Sequence, residues 1–253
     1  MPTTLIFGGN GKVARYLTRI LTTETSPAHE VYSIIRNPDQ VSELAALGAK
    51  PIVQSIAEAS VSDLVMILTN AKPDVVVWSA GAGGDDHDGT RVAAVDRDGA
   101  IKVMDACAES GVKRFIIVSA MDVRDHSKPA PDWYDDGTKE RAAKVLNAIR
   151  PFMEAKFAAD KELVTGNERR KLDYTIIRPA GLGSNPGVGT VSAGKVQLAK
   201  VVKREDLARV IVQCIEEPGT IGLVFDVAAG DSPIPEEISR VASERVDVFD
   251  GFY

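Results

Sequence analysis

The 253-residue sequence has two cysteines, three histidines and only 6% aromatic residues, and each shortage removes a class of protein. Cys107 and Cys214 stand far apart in segments of helical pattern, which excludes a disulfide framework and points to buried thiols in a reducing compartment. No metal site is expected, because no Cys/His cluster of metal-binding spacing can be assembled. Charge of one sign is also missing: 30 basic and 36 acidic residues are interspersed and sum to −6, leaving no cationic face to follow a nucleic-acid backbone. No window approaches the ~20 apolar residues that span a bilayer. The opening MPTTLIFGGN lacks the basic and apolar regions of a signal peptide and runs at once into a strand pattern. The expectation is a cytoplasmic monomer or homodimer that works on a small molecule, without nucleic-acid or membrane partners.

What is present is 44% hydrophobic residues, enough for one sizeable core. Short β-branched runs alternate with longer stretches of helical period, the signature of βα units and a parallel sheet. The pattern predicts strands at 4–7, 31–35, 51–54, 75–79, 115–119 and 174–178, and helices at 12–22, 40–47, 61–70, 91–110 and about 138–164. Asn37-Pro38 opens the second helix and Ser110-Gly111 closes the fourth. After Arg178 come a Gly/Pro loop, a helix near 205–216, a strand near 223–227 and a last helix near 235–241. The fold class is α/β, a Rossmann-type doubly wound parallel sheet in a single domain over 1–253. Segments 120–137 and 179–253 are expected to form a small substrate-side lobe, and the acidic, aromatic stretch 246–253 to pack on its own domain.

Between the first strand and the first helix lies Gly8-Gly9-Asn10-Gly11-Lys12-Val13-Ala14. Gly8 allows a tight turn, Gly11 lets backbone amides approach a pyrophosphate, and Ala14 lets the helix pack close to the sheet. The helix N-terminus then faces the phosphates with unpaired N–H groups and the positive end of its dipole. At the end of the second strand, where an acidic residue would take both ribose hydroxyls of NAD, stands Arg36. Its planar fork of donors suits a 2′-phosphate and favours NADP(H) over NAD(H), a solvated surface arginine being the alternative.

These residues, together with Arg36-Asn37, WSAGAG at 78–83, VDRDG at 95–99, GVKRFIIVS at 111–119, YTIIRPAGL at 174–182 and REDLA at 204–208, resemble the atypical short-chain dehydrogenase/reductase proteins of the NmrA-like and biliverdin-reductase-B-like kind. The resemblance runs from Thr4 to about Glu237. It implies that Ala80, Gly81 and Ala82 line the cofactor's ribose and phosphate side, that Pro179, Ala180, Gly181 and Leu182 lie near the nicotinamide, and that Asn37 and Ser55 contribute to the cofactor site. A plain flexible loop is the alternative for Gly81, Gly83 and Gly84.

Enzymes of that superfamily carry a Tyr and a Lys four residues apart on one helix and a Ser or Thr at the end of the preceding strand, the Lys lowering the phenol's pKa so that it can pass a proton while hydride moves. Here the matching segment is Phe152-Met153-Glu154-Ala155-Lys156: the lysine is kept and the phenol is absent. Lys156 is expected at the ribose and Ser119 at a substrate carbonyl, the latter with local backbone bonding as its alternative. A substitute acid is sought in the irregular segment 121–136, with Tyr134 foremost and Asp122 and His126 beside it. The resulting expectation is an NADPH-dependent oxidoreductase acting on a small carbonyl, quinone, flavin or conjugated acceptor. An NADP(H)-binding redox sensor is the alternative, with an epimerase or dehydratase ranked below both.

Overall fold

All six strands expected in the first two-thirds form, each within two residues of its predicted position. The computed structural model describes residues 1–83, 89–198 and 200–249. Along the chain run β1 (Thr3–Phe7), α1 (Lys12–Thr23), β2 (Glu30–Ile35), a 3-10 turn at Pro38–Gln40, α2 (Val41–Ala46), β3 (Ala49–Val53), α3 (Val61–Ala71) and β4 (Val75–Trp78). Next come α4 (Thr90–Val92), which passes through a π-helical stretch at Ala93–Gly99 into α5 (Ala100–Ser110), then β5 (Arg114–Val118), α6 (Asp136–Thr165) and α7 (Asn167–Arg170). The last third holds β6 (Asp173–Pro179), β7 (Leu182–Gly183), β8 (Thr190–Gly194), β9 (Val202–Lys203), α8 (Arg204–Glu216), a 3-10 turn at Pro218–Thr220, β10 (Leu223–Pro233) and α9 (Ile234–Ser243).

The main sheet has eight strands in the order β3-β2-β1-β4-β5-β6-β10-β8, with β8 antiparallel to β10. Strand residues alternate between two apolar layers, as a period of two demands. Ile6, Val77 and Ile116 face Leu17 of α1 and Leu207 and Ile211 of α8, while Leu5, Val76 and Phe115 face Leu64 of α3, Met104 of α5 and Leu163 of α6. Strands covered on both faces read as continuous apolar runs, which is why β1, β4 and β5 were legible.

The Gly/Pro loop expected after Arg178 instead contains β7, β8 and β9. Thr190–Gly194 is short and rich in small residues, so its strand state comes from pairing with β10 rather than from local preference. β10 itself runs on to Pro233, past a register shift between Ala228 and Ser232. Glu205 and Asp206 at the start of α8 accept hydrogen bonds from the backbone N–H groups of Gly187, Val188 and Gly189, which pins the loop that leads into β8. Beyond α9, Val248 N–H donates to Val224 and Phe249 packs 6.0 Å from Phe157. The segment 246–249 thus packs on its own domain, whereas 250–253 and Gly84 lie outside the described residues.

Candidate functional site

Strand order proceeds outward from β1 in one direction and from β4 in the other, so a crevice opens above their C-terminal ends. Gly8 leaves β1 at φ +80°, and a Cβ there would stand 2.5 Å from Ala80 Cα; only glycine permits this close approach of the β1 and β4 loops. Gly11 N–H donates to Gly8 at 2.8 Å and closes the turn, and α1 starts at the next residue. Among the described residues no side chain caps α1, and no acidic residue stands in its first turn. The positive end of the helix is left for an anion in the crevice.

Two cavities meet at Gly11, Ser79, Ala80 and Gly81. The larger, about 620 Å³, is lined by Gly8, Asn10, Arg36, Ser55, Ala82 and Arg91 among others. The smaller, about 290 Å³, is lined by Lys12, Val13, Ser119, Phe152, Lys156, Pro179, Leu182 and Arg204. Most residues singled out from the sequence therefore converge on one cleft. Gly9 is not among its walls: a Cβ there would stand 2.5 Å from Ser33 Cβ, so this glycine serves packing against β2. Asn37 turns its amide oxygen to Asp39 N–H and caps the Pro38–Gln40 turn. Ala180 and Gly181 bond through their backbones to Val227 and Val202, leaving Pro179 and Leu182 to face the cavity.

The region around Lys156 is built by three elements. α6 is broken by a non-helical Ile149 two residues before Pro151, and after the kink Phe152, Lys156 and Asp160 share one face at a spacing of four. The Lys156 ammonium is buried, 5.1 Å from the Phe152 ring centroid, 3.2 Å from Asp96 Oδ1 and donating to Val118 O at 3.3 Å. With Val118 O as its hydrogen-bond partner among the described residues, the ammonium keeps N–H groups for a ligand. Asp96 is turned inward by the π-helical stretch, a feature that recurs at functional sites. Its other oxygen accepts from Ala82 N–H at 2.9 Å, and a Cβ on Gly81 would lie 3.3 Å from the carboxylate. Asp96 thus ties the loop after β4 to Lys156, and Gly81 is small for that contact.

Ser119 bonds to a buried carboxylate rather than to the backbone: its hydroxyl donates to Asp160 Oδ2 at 2.6 Å. Asp160 is wholly buried, and burial raises its carboxyl to about 6 against the opposing pull of Ser119, Arg178 and Lys156. Behind it, Arg178 pairs with Asp226 at 3.2 Å, and burial raises Asp226 to about 7, opposed by Arg178 and reinforced by Asp122.

The substitute acid expected in 121–136 is not in the cleft. Tyr134 is buried in a separate cluster with Met121, Ala180 and Ala228, and burial, with Asp226 and Asp122 nearby, drives its phenol further from ionisation. Asp122, at φ +62°, binds Arg124 at 2.8 Å and His126 at 3.1 Å. Burial works against its ionisation, but these two partners outweigh it and hold the carboxyl below its ordinary range. His126 lines a different cavity with Met153 and Phe157. Asp96, Asp160, Asp226 and Arg91 were missed from the sequence. The four-residue step from Lys156 to Asp160 on an alanine-rich face, and an aspartate between Phe225 and Val227, were the available signals.

Among the described residues there is no helix long and apolar enough to cross a membrane and no metal-type cluster. The NAD(P)H-binding family model matches residues 8–218. A UPF0659 protein of Schizosaccharomyces pombe is 36% identical over 93% of both chains, and the uncharacterised sugar epimerase YhfK of Bacillus subtilis is 32% identical over 93% of this chain and 98% of its own. Among solved structures, a Bacillus halodurans protein provisionally assigned as an NAD-dependent epimerase/dehydratase superposes with a TM-score of 0.76 at 31% identity, covering 95% of this chain and 100% of that one. With its glycine turn, crevice and sheet order, the chain belongs to the NAD(P)H-binding family, consistent with the atypical short-chain dehydrogenase/reductase group that its motifs resemble.

Proposed function

We propose that the chain is an NADP(H)-dependent oxidoreductase whose acceptor is a small carbonyl, quinone, flavin or conjugated compound. The observation that carries this reading is the single cleft, with the anion-receiving end of α1 at its centre, Arg36 at one end and Lys156 with Ser119 at the other. When bound, the dinucleotide supplies or removes a hydride. Around it, the first amides of α1 hold the pyrophosphate, and Arg36, exposed and in no ion pair among the described residues, holds the 2′-phosphate. Asn10 and Ser55 line the adenosine side. Lys156, held by its ion pair with Asp96 and its bond to Val118, offers an N–H to a ribose hydroxyl. Pro179 and Leu182 bound the nicotinamide side, with Arg204 on the same wall.

Phe152 brings no proton to this end of the cleft. An acceptor whose reduced form is a stabilised anion can draw its proton from water, which makes quinones and flavins suitable. The names of two relatives favour a second reading, an epimerase or dehydratase, which returns the hydride to the same substrate.

The test is NADPH consumption with a panel of quinones, flavins, enals and simple aldehydes, alongside product analysis with nucleotide sugars. Consumption above buffer with at least one acceptor class is the expected result. A converted sugar without net NADPH loss overturns the oxidoreductase reading in favour of the second. No conversion, with cofactor binding intact, leaves a dinucleotide-binding sensor.

A further inference from the structure

The cleft wall where a phenol is missing holds another pair of oxygen acids. Ser119 follows β5 and faces the smaller cavity beside Lys156 and Phe152. Its hydroxyl lies 2.6 Å from Asp160 Oδ2, within the range of a charge-assisted O–H···O bond. Asp160 does not line the cavity: no part of it is exposed, and among the described residues its Oδ1 has no hydrogen-bond partner. Among the described residues, Ser119 is the hydrogen-bond partner that joins this buried carboxyl to the cleft.

We propose that Ser119 and Asp160 form a proton relay to the oxygen of a carbonyl substrate, with Ser119 touching the substrate and Asp160 acting through it as a positioning and proton-holding residue. The proposal rests on the oxidoreductase reading above and narrows its acceptors to include aldehydes and ketones. In reduction, hydride from the reduced nicotinamide dinucleotide forms the new C–H bond and the carbonyl π pair moves to oxygen. That oxygen takes the Ser119 hydroxyl proton, and Ser119 Oγ takes the Asp160 carboxyl proton. The substrate gains two electrons, the dinucleotide loses two, and Asp160 is left as carboxylate. After the alcohol departs, water in the cavity returns the proton through Ser119. Alcohol oxidation runs the same transfers backwards.

The groups around Asp160 keep it able to serve both directions. Burial favours its neutral form, while Lys156 one turn earlier and Arg178 on β6 favour the charged one, so it titrates at about 6. Facing these two cations, Asp226 on β10 stands 3.2 Å from Arg178, Asp96 stands 3.2 Å from Lys156, and Asp122, paired with Arg124, acts on Asp226 in turn.

The experiment compares wild type, Ser119→Ala and Asp160→Asn. Its first readout needs no cofactor: infrared difference spectra of the free protein across pH about 6 to 7 should show two buried carboxyls gaining C=O stretches as pH falls, Asp226 first and then, with a midpoint of about 6, Asp160. The Asp160 band should be absent from Asp160→Asn and displaced in Ser119→Ala. Its second readout is the pH profile of kcat/KM for NADPH-dependent reduction of an aldehyde. In wild type the rate should fall about tenfold per unit above the carboxyl's titration, while either variant should lose this limb and about 100-fold of the acid-side rate. Should Asp160→Asn not fold, Ser119→Ala and the wild-type spectra carry the test.

Wild type that reduces quinones but no aldehyde overturns the relay and leaves the oxidoreductase reading standing, as does a variant that keeps the pH limb. Wild type that consumes no NADPH with any acceptor of the panel overturns the oxidoreductase reading and the relay with it.

Discussion

Replacing Lys156 by methionine should cost about 3–5 kcal/mol of folding stability, an effect far larger than that of a surface lysine. Both members of the pair are buried, with side-chain exposures of 7% for Lys156 and 0% for Asp96, and they stand 3.2 Å apart. Methionine fills similar volume but leaves the Asp96 carboxylate with one backbone N–H from Ala82 as its remaining support. The penalty is that of an uncompensated buried charge rather than the net worth of the pair, so the double variant Asp96→Asn/Lys156→Met should recover most of the loss. Urea denaturation of the wild type, both single variants and the double variant measures this cycle. A loss below about 1 kcal/mol for Lys156→Met, the range of exposed ion pairs, contradicts the buried-pair account.

The second large effect is a dependence of stability on pH. Asp226 titrates at about 7 in the fold, and an aspartate in the unfolded chain does so near 3.9. Between these values the unfolded chain has released the proton that the fold still holds. The resulting stability is complete below about pH 4 and is lost as pH rises to about 7, at roughly 1.4 kcal/mol per unit and about 4 kcal/mol in all. Asp160 adds a loss of the same sign that ends at about pH 6. Exposed carboxylates held low by partners, such as Glu43 beside Arg15, act in the opposite direction, so the informative quantity is the difference between two proteins. Asp226→Asn removes the titration while keeping the shape beside Arg178. Its stability relative to wild type should climb between pH 4 and 7 and level off above. Parallel curves for the two proteins would contradict a neutral Asp226 in the fold.

How much of this was legible in the sequence follows from how far each feature depends on distant contacts. The glycine turn, Arg36 and the central strands could be read because their requirements are local: a positive φ at Gly8, a donor fork at a strand end, apolar runs buried on both faces. Ser119 and Lys156 were placed in the cleft by resemblance, but their partners were not. Asp96 reaches Lys156 through a π-helical turn that leaves no periodic mark, and Asp160 meets Ser119 from 41 residues away. β8 was lost for the same reason, since β10 supplies its pairing. Tyr134 was sought as the acid because the segment 121–136 follows a strand end on the ligand side of the sheet, whereas its ring is buried with Met121, Ala180 and Ala228 in a cluster apart from the cleft. Sequence pattern carried the cofactor half of the cleft, and tertiary contacts carried the chemistry half.

Calorimetric titration with NADPH, NADP⁺, NADH and NAD⁺, for wild type and for Arg36→Ala, tests the central claim most directly. The account predicts that NADPH binds, that NADH binds at least about tenfold more weakly, a gap of about 1.4 kcal/mol, and that Arg36→Ala closes that gap without abolishing NADH binding. Equal affinities for NADPH and NADH in wild type, or a gap that survives Arg36→Ala, would contradict the assignment of the 2′-phosphate to Arg36. Failure of all four dinucleotides to bind would contradict the cofactor cleft itself.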